Sequence, residues 1–359
     1  MTATTAPQKK SSQESRLSLI VRTLLTQRVA LLAVLVVLLV VYFMVLGAND
    51  YLTAPYDFDY MASALINAVP MAMLGFAQLF VITSGRGGID LSVGAIVSLS
   101  GMTFGFMYGM WGWSLPMALI ATVIVGAILG LLNGILVAYI EFPALIATLA
   151  TFYAYKSIAV VINDQRPIST KPIQELYKST ASSVPLPLIG DYLPDFPRGV
   201  FLFLIPTLIV VWLLLSRTSY GRRVYAIGTN DVAARWSAID VKASRAGAYM
   251  LSGAISGLVA VVTVGQFASA RPDAGVSGNG MALPAITIAV LGGVAITGGI
   301  GRVSGIVLAT LLVVWTNAGI RLAFEGNAGP QFQLLALGLL LIFSALLNGF
   351  SNRRYGGAG

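Results

Sequence analysis

Neither cysteine nor histidine occurs anywhere in the 359 residues. Without cysteine no disulfide framework can form. Without either residue there is no thiolate or imidazole ligand set for zinc, and no Ser-His-Asp or Cys-His nucleophile arrangement. No catalytic and no metal-binding residue is therefore assigned. Charge is scarce as well: Asp, Glu, Lys and Arg make up 10% of the chain, against about 25% in an ordinary soluble domain. In place of charge the chain carries 57% hydrophobic residues and a mean hydropathy of +0.84. The net charge of +8 does not indicate a nucleic-acid partner. The basic residues flank apolar runs, where they orient a membrane protein and meet anionic lipid headgroups. The chain thus reads as an all-α polytopic membrane protein. Its 38 glycines suit close helix approach within a bundle.

A membrane helix needs about 20 mostly apolar residues. On that basis the sequence predicts about ten spans, near 29–47, 62–84, 92–110, 115–139, 143–162, 200–216, 246–267, 281–297, 303–321 and 331–348. The first apolar run is longer than a leader's apolar core and no small-residue cleavage site follows it, so it is expected to be a retained span. With the N-terminus inside, 15 of the 22 lysines and arginines fall in cytoplasmic segments, which predicts an N-in, C-in topology. The expected organisation is a basic cytoplasmic tail (1–28), a transmembrane domain (29–348) and a cytoplasmic tail (349–359). Within the domain, 163–199 falls outside and 217–245 inside. The Gly-rich stretches 130–134 and 292–305 hint at two related halves. Trp111, Trp113, Tyr153 and Tyr155 fall near span ends, as interfacial aromatics do, and Glu141 falls at a cytoplasmic turn.

Two polar islands interrupt this pattern. The first is Gly87-Gly88-Ile89-Asp90-Leu91-Ser92-Val93-Gly94. Asp90 can cap the helix that follows, and a broken helix there can also line a polar path, because such breaks are tolerated only against protein or water. The second runs from Ser216 to Arg245. Thr229 or Asn230 can cap a short helix with Asp231 in its first turn; Gly228 ends the element before it. Ala233 and Ala234 leave a smooth face, and Val232 and Trp236, four apart, share an apolar one. That helix is either interfacial or a docking element for a cytoplasmic partner. Further polar residues within spans are candidates for a translocation path: Asn67, Gln78, Asn133, Thr148, Thr151 and Asn317, beside Asp90 and Ser92. Their hydroxyls and amides suit an uncharged, hydroxyl-rich solute, although any one of them also suits an ordinary interhelical hydrogen bond.

Four segments in one order resemble the membrane permease subunit of bacterial ATP-binding-cassette sugar importers of the ribose/xylose/galactose type. They are Gly88 to Gly94; Asn133-Gly134 with Pro143 to Leu149; Ala226 to Asp240; and Leu291-Gly292-Gly293 with Gly298 to Arg302. The resemblance covers about residues 60 to 348. It implies a multi-pass protein of the bacterial cytoplasmic (inner) membrane, paired with a second permease subunit as a homodimer or heterodimer. It further implies two ATPase subunits and a solute-binding protein that docks on the outer segments 163–199 and 268–280. It also implies a coupling helix, carried by Gly228, Thr229, Asn230, Asp231, Ala233, Ala234, Arg235 and Trp236. Where such permeases often have an acidic-Leu-acidic step, this chain has Ala282-Leu283-Pro284.

None of the six lysines directly follows a glycine, so the phosphate-cradling Gly-x-x-x-x-Gly-Lys-Ser/Thr loop is absent. ATP and magnesium are thus expected in a partner chain, with no cofactor in this one. Alternatives are the same architecture carrying a nucleoside or a branched-chain amino acid, or a proton-coupled secondary transporter with Asp90 as its titrating group. A membrane enzyme lacks any visible nucleophile–base pair.

Overall fold

The computed structural model describes residues 27–185, 193–277 and 280–355. The basic residues Lys9, Lys10, Arg16 and Arg22 of the tail lie outside the described residues, as do 356–359 of the other tail. Among the described residues nine helices are long and apolar enough to cross a membrane. In chain order the helices are α1 (Arg28–Ala48), α2 (Phe58–Thr83) and α3 (Val93–Phe104), which continues as a π-helical turn to Met110. Next come α4 (Leu115–Ala138), α5 (Ala144–Val161) and the short amphipathic α6 (Lys171–Thr180). The span from Val200 closes as α7 (Ile205–Arg217). Then follow α8 (Ser219–Thr229), α9 (Asp231–Trp236), α10 (Val241–Phe267), α11 (Ala282–Leu291), α12 (Val303–Ala323) and α13 (Ala328–Tyr355).

The span predicted at 281–297 takes a different form. The apolar run is long enough on paper, but α11 ends at Leu291 and Gly293 turns the chain with φ +89°. Ten helical residues rise about 15 Å, half of the hydrocarbon thickness. Before it, the segment 268–277 turns from the end of α10 back into the bundle. There the Gly275 N–H donates to Ser98 Oγ of α3 (2.9 Å). The segment 84–92 makes the opposite dip, between α2 and α3. Long helix, dipping segment and short helix therefore occur twice, in opposite senses. The stretches 130–134 and 292–305 do not carry this relation: the first lies within α4, and the second is a turn leading into α12.

The bundle centres on α2, α3 and α10, whose faces are largely buried, while α1, α4, α7 and α13 turn most of their surface outward. In lipid such packing rests on close van der Waals fit rather than on exclusion of water. The tightest seam joins α4 to α10. A β-carbon on Gly130 would lie against the Tyr249 carbonyl and 2.9 Å from the Gly253 Cα, and one on Gly134 would lie 2.7 Å from the Ala246 carbonyl. The four-residue spacing of Gly126, Gly130 and Gly134 puts all three on one stripe of α4, so backbone meets backbone along two turns. Gly130→Val is expected to lower the thermal midpoint of the detergent-purified protein through a loss of about 3 kcal/mol, the upper range for overpacking. The lipid-facing control Ile128→Val should leave the midpoint unchanged, since Ile128 is 54% exposed.

Candidate functional site

The dip at 84–92 brings Asp90 back alongside α2. Gln78 holds it by both backbone groups: Gln78 Nε2 donates to the Asp90 carbonyl (2.6 Å), and the Asp90 N–H donates to Gln78 Oε1 (3.3 Å). The Asp90 carboxylate accepts from the Ser92 N–H (2.9 Å) and the Ser92 hydroxyl (2.6 Å), closing a local turn at the start of α3. Its other oxygen accepts from Ser252 Oγ of α10 at 3.1 Å. Asn133 of α4 donates to Ser92 Oγ (2.7 Å), and Thr148 of α5 donates to the Ile89 carbonyl (3.3 Å). Five of the eight path candidates, Gln78, Asp90, Ser92, Asn133 and Thr148, thus form one buried knot that pins the dip to four helices. Thr151 stays outside it and bonds to carbonyls of its own helix. Ser252 completes the knot and was not legible as a candidate, because one more serine in a long apolar helix carries no local signal.

The second polar island, expected on the cytoplasmic side, forms α8 and α9. The first of these runs through Thr229, one residue beyond Gly228. Asn230, rather than Thr229, caps α9: its Oδ1 accepts from the Val232 and Ala233 N–H groups at 3.1 and 3.0 Å. Ala234 is buried beside Ile227 and Val241, whereas Val232 and Trp236 are 62% and 88% exposed. Asp231 ties α9 inward through Arg86 (2.7 Å) and Arg245 (3.8 Å). Arg86 stands four residues before Asp90, and Arg245 of α10 also donates to the Ser84 carbonyl (3.2 Å). Glu141, expected to be solvated, is indeed exposed and also meets Lys242 at 3.2 Å.

Three glycines let these parts meet. Gly85, Gly228 and Gly298 lie backbone to backbone, and Gly85 and Gly298 have φ of +82° and +95°. The Gly299 N–H donates to the Thr83 carbonyl (3.0 Å). The end of α8 is therefore wedged between the turn after α2 and the turn after α11. Tyr225 and Tyr220 fasten the same junction, donating to the Gly301 carbonyl (2.7 Å) and the Ser244 carbonyl (3.2 Å). Burial holds both phenols above the usual tyrosine range, so they stay protonated donors.

The remaining two candidates lie elsewhere and together. Asn67 of α2 and Asn317 of α12 line one cavity of about 360 Å³ near the outer end of the bundle. That is within the usual range of small-molecule sites. Tyr60, Ser63, Arg321 and Gln333 supply its other polar groups, and Met71, Pro284 and Leu337 supply apolar wall. Among the described residues no carboxylate lines it. Gln333 donates to the Asn317 carbonyl (3.0 Å), which joins α13 to α12 at the rim. Pro284, at the position where the resemblance leads one to expect an acid, is part of the wall.

The two outer segments expected to dock a binding protein are joined. Ile168 and Ala270 exchange backbone hydrogen bonds at 2.9 and 2.8 Å. A two-residue hairpin, Ser183–Val184 with Phe196–Pro197, closes the first segment. Of the four aromatics, Trp111 and Tyr153 are exposed, but Tyr155 is core: it is buried and donates to the Leu129 carbonyl (2.9 Å).

Residues 60–345 match the family model described as branched-chain amino acid transport system / permease component. The chain is 32% identical over 292 residues to the autoinducer 2 import system permease protein LsrD of Salmonella typhimurium, covering 79% of each chain. The LsrD of Escherichia coli O9:H4 is 33% identical over 285 residues, again covering 79% of each. The ribose import permease protein RbsC of Haemophilus influenzae is 29% identical over 299 residues, covering 82% of this chain and 86% of that one. No solved structure matches the chain.

Proposed function

The chain belongs to this permease-component family, and from that premise we propose that it carries a monosaccharide inward, driven by ATP hydrolysis in a separate subunit. As a member it is a multi-pass transport subunit of an inner-membrane import system and not an enzyme. The solute is handed over by a binding protein seated on the joined outer segments, and a second permease subunit completes the path. ATPase subunits dock on α9, and Asp231 relays their movement to Arg86 and α10. ATP and magnesium belong to those subunits.

The observation that carries the choice of solute is the lining of the outer cavity. Amides and hydroxyls from Asn67, Asn317, Ser63, Tyr60 and Gln333, with the Arg321 guanidinium, offer donors and acceptors to sugar hydroxyls. A branched-chain amino acid, which the family description names, would also need an acidic partner for its ammonium, and among the described residues the lining has none. The relatives named for ribose and autoinducer 2 support the same choice.

The test is uptake of radiolabelled ribose and leucine into cells producing the complete import system. Ribose-class uptake is expected, and Asn67→Leu with Asn317→Leu should reduce it at least about tenfold, since each lost hydrogen bond contributes about 1 kcal/mol. Leucine uptake in its place, or full ribose uptake by the double variant, overturns the reading.

A further inference from the structure

A second and larger cavity, of about 720 Å³, opens between α7 and α12 at the cytoplasmic end of the bundle, away from the outer cavity. We propose that this groove is a binding site for one anionic phospholipid of the cytoplasmic leaflet. The lower wall is hydrocarbon: Leu208, Val307 and Leu308 line it, and their helices cross the membrane there. The other lining is polar: Ser216 near the end of α7, and Arg302 and Ser304 at the start of α12. Trp212 also lines the groove, and Arg217 lies over its indole ring at 5.3 Å from the centroid.

Charge decides the occupant. Arg302 and Arg217 are exposed, and among the described residues neither has an acidic partner within ion-pair distance. Among the described residues the groove's lining includes no carboxylate. Two unneutralised guanidiniums stand at the headgroup level, and an indole, the side chain that favours the membrane interface, stands between them and the hydrocarbon wall. Basic pockets between helices on the cytoplasmic side suit anionic headgroups, and the hydroxyls add donors for phosphate oxygens. The backbone before Arg302 is held from α8: the Tyr225 hydroxyl donates to the preceding Gly301 carbonyl (2.7 Å). A lipid here would brace α7 against α12, two helices that otherwise touch little, right beside the segment that meets the ATPase under the proposed function. The groove's lining is a separate set of residues from the sugar-binding cavity, so the two proposals stand or fall apart.

Native mass spectrometry of the detergent-purified full chain tests it, with added dioleoyl phosphatidylglycerol, dioleoyl phosphatidylethanolamine or inorganic phosphate. One phosphatidylglycerol per chain should be retained in preference to phosphatidylethanolamine, and inorganic phosphate should not displace it. Arg302→Gln with Arg217→Gln should weaken that retention by about thirtyfold, as two interfacial cations do. Val307→Trp, which fills the hydrocarbon part and leaves both charges, should weaken it as well. Equal retention of the two lipids overturns the proposal. So does displacement by phosphate, which would mark a free-anion site. Loss in the charge variant with full retention in Val307→Trp also overturns it, because surface charge alone would then explain binding. A chain that runs as a dimer without lipid, and as a monomer with Val307→Trp, overturns it in favour of a second copy in the groove.

Discussion

Asp90→Ala is expected to abolish import and to lower the stability of the purified chain by about 3 kcal/mol, whereas Asp90→Asn should keep most of both. The Asp90 carboxylate accepts three hydrogen bonds, from the Ser92 N–H, the Ser92 hydroxyl and the Ser252 hydroxyl. Alanine removes every acceptor at once. The two hydroxyls can rotate toward other acceptors, but the buried Ser92 N–H cannot, and an unmet buried donor carries most of the cost. The dip between α2 and α3 would also lose its tie to Ser252 of α10, leaving Arg245 on the Ser84 carbonyl as a remaining tie to that helix. Asparagine keeps one oxygen for Ser92 and presents an amide that the Ser252 hydroxyl can accept from. The comparison separates two roles. If Asp90 carried a proton during transport, asparagine would stop uptake as completely as alanine, and the pH dependence of uptake would vanish. Near-normal uptake by Asp90→Asn, with thermal unfolding close to the native protein, would mean that the carboxylate works as an acceptor that holds the dip. Calorimetry and uptake on the same preparations make the check.

What could be read from the sequence was local. A Gly-Gly turn with an Asp two residues before a Ser states its own geometry, and so does an Asn-Asp pair ahead of an Ala-rich turn. The second island therefore folds much as its residues propose, with Asn230 taking the cap; in the first, Asp90 closes a turn on Ser92 instead of capping α3, whose N-cap is Ser92 without a side-chain bond. Long apolar runs announced the spans for the same reason, since the 3.6-residue period is not needed when lipid accepts every face. The misreading at α11 has a physical cause. Its apolar run passes straight through Gly292 and Gly293, and hydropathy does not register that one glycine with φ +89° turns the chain. The partners of each candidate were hidden because they lie far off in sequence. Asn67 meets Asn317 across 250 positions, and Asp90 meets Ser252 across 162. Arg245 was counted among the cations that orient the loop, yet its side chain is 3% exposed and spans from Asp231 to the Ser84 carbonyl. A basic residue that sets topology and one that transmits force look the same in a list of charges.

That last residue leads to the second large effect. Asp231→Arg is expected to uncouple the protein: import lost, and ATPase subunits no longer retained on the tagged chain in mild detergent. The native carboxylate stands against Arg86 at 2.7 Å and Arg245 at 3.8 Å. Reversal removes both attractions and sets a third guanidinium among two others, one of them buried. Breaking a buried pair costs about 3–5 kcal/mol; Asp231 keeps 18% exposure, so the lower figure applies. Six residues of α9 have little else to hold them. Their remaining ties are the Asn230 cap and Ala234 packed between Ile227 and Val241. Ala234→Arg removes the second of these, so the double variant should release the ATPase entirely. Arg86→Glu alone should also fail, because it faces Asp231 with a like charge. Arg86→Glu combined with Asp231→Arg restores opposite signs at the 2.7 Å contact, though not at Arg245, and should recover part of the uptake. Recovery would establish that the pair acts as a link, since two independent defects would only add. Full uptake and full ATPase retention by Asp231→Arg alone would remove α9 as the coupling element. The Arg86 turn would then have to receive its movement from the glycine junction of Gly85, Gly228 and Gly298, where the end of α8 touches the turn after α2 and the turn after α11.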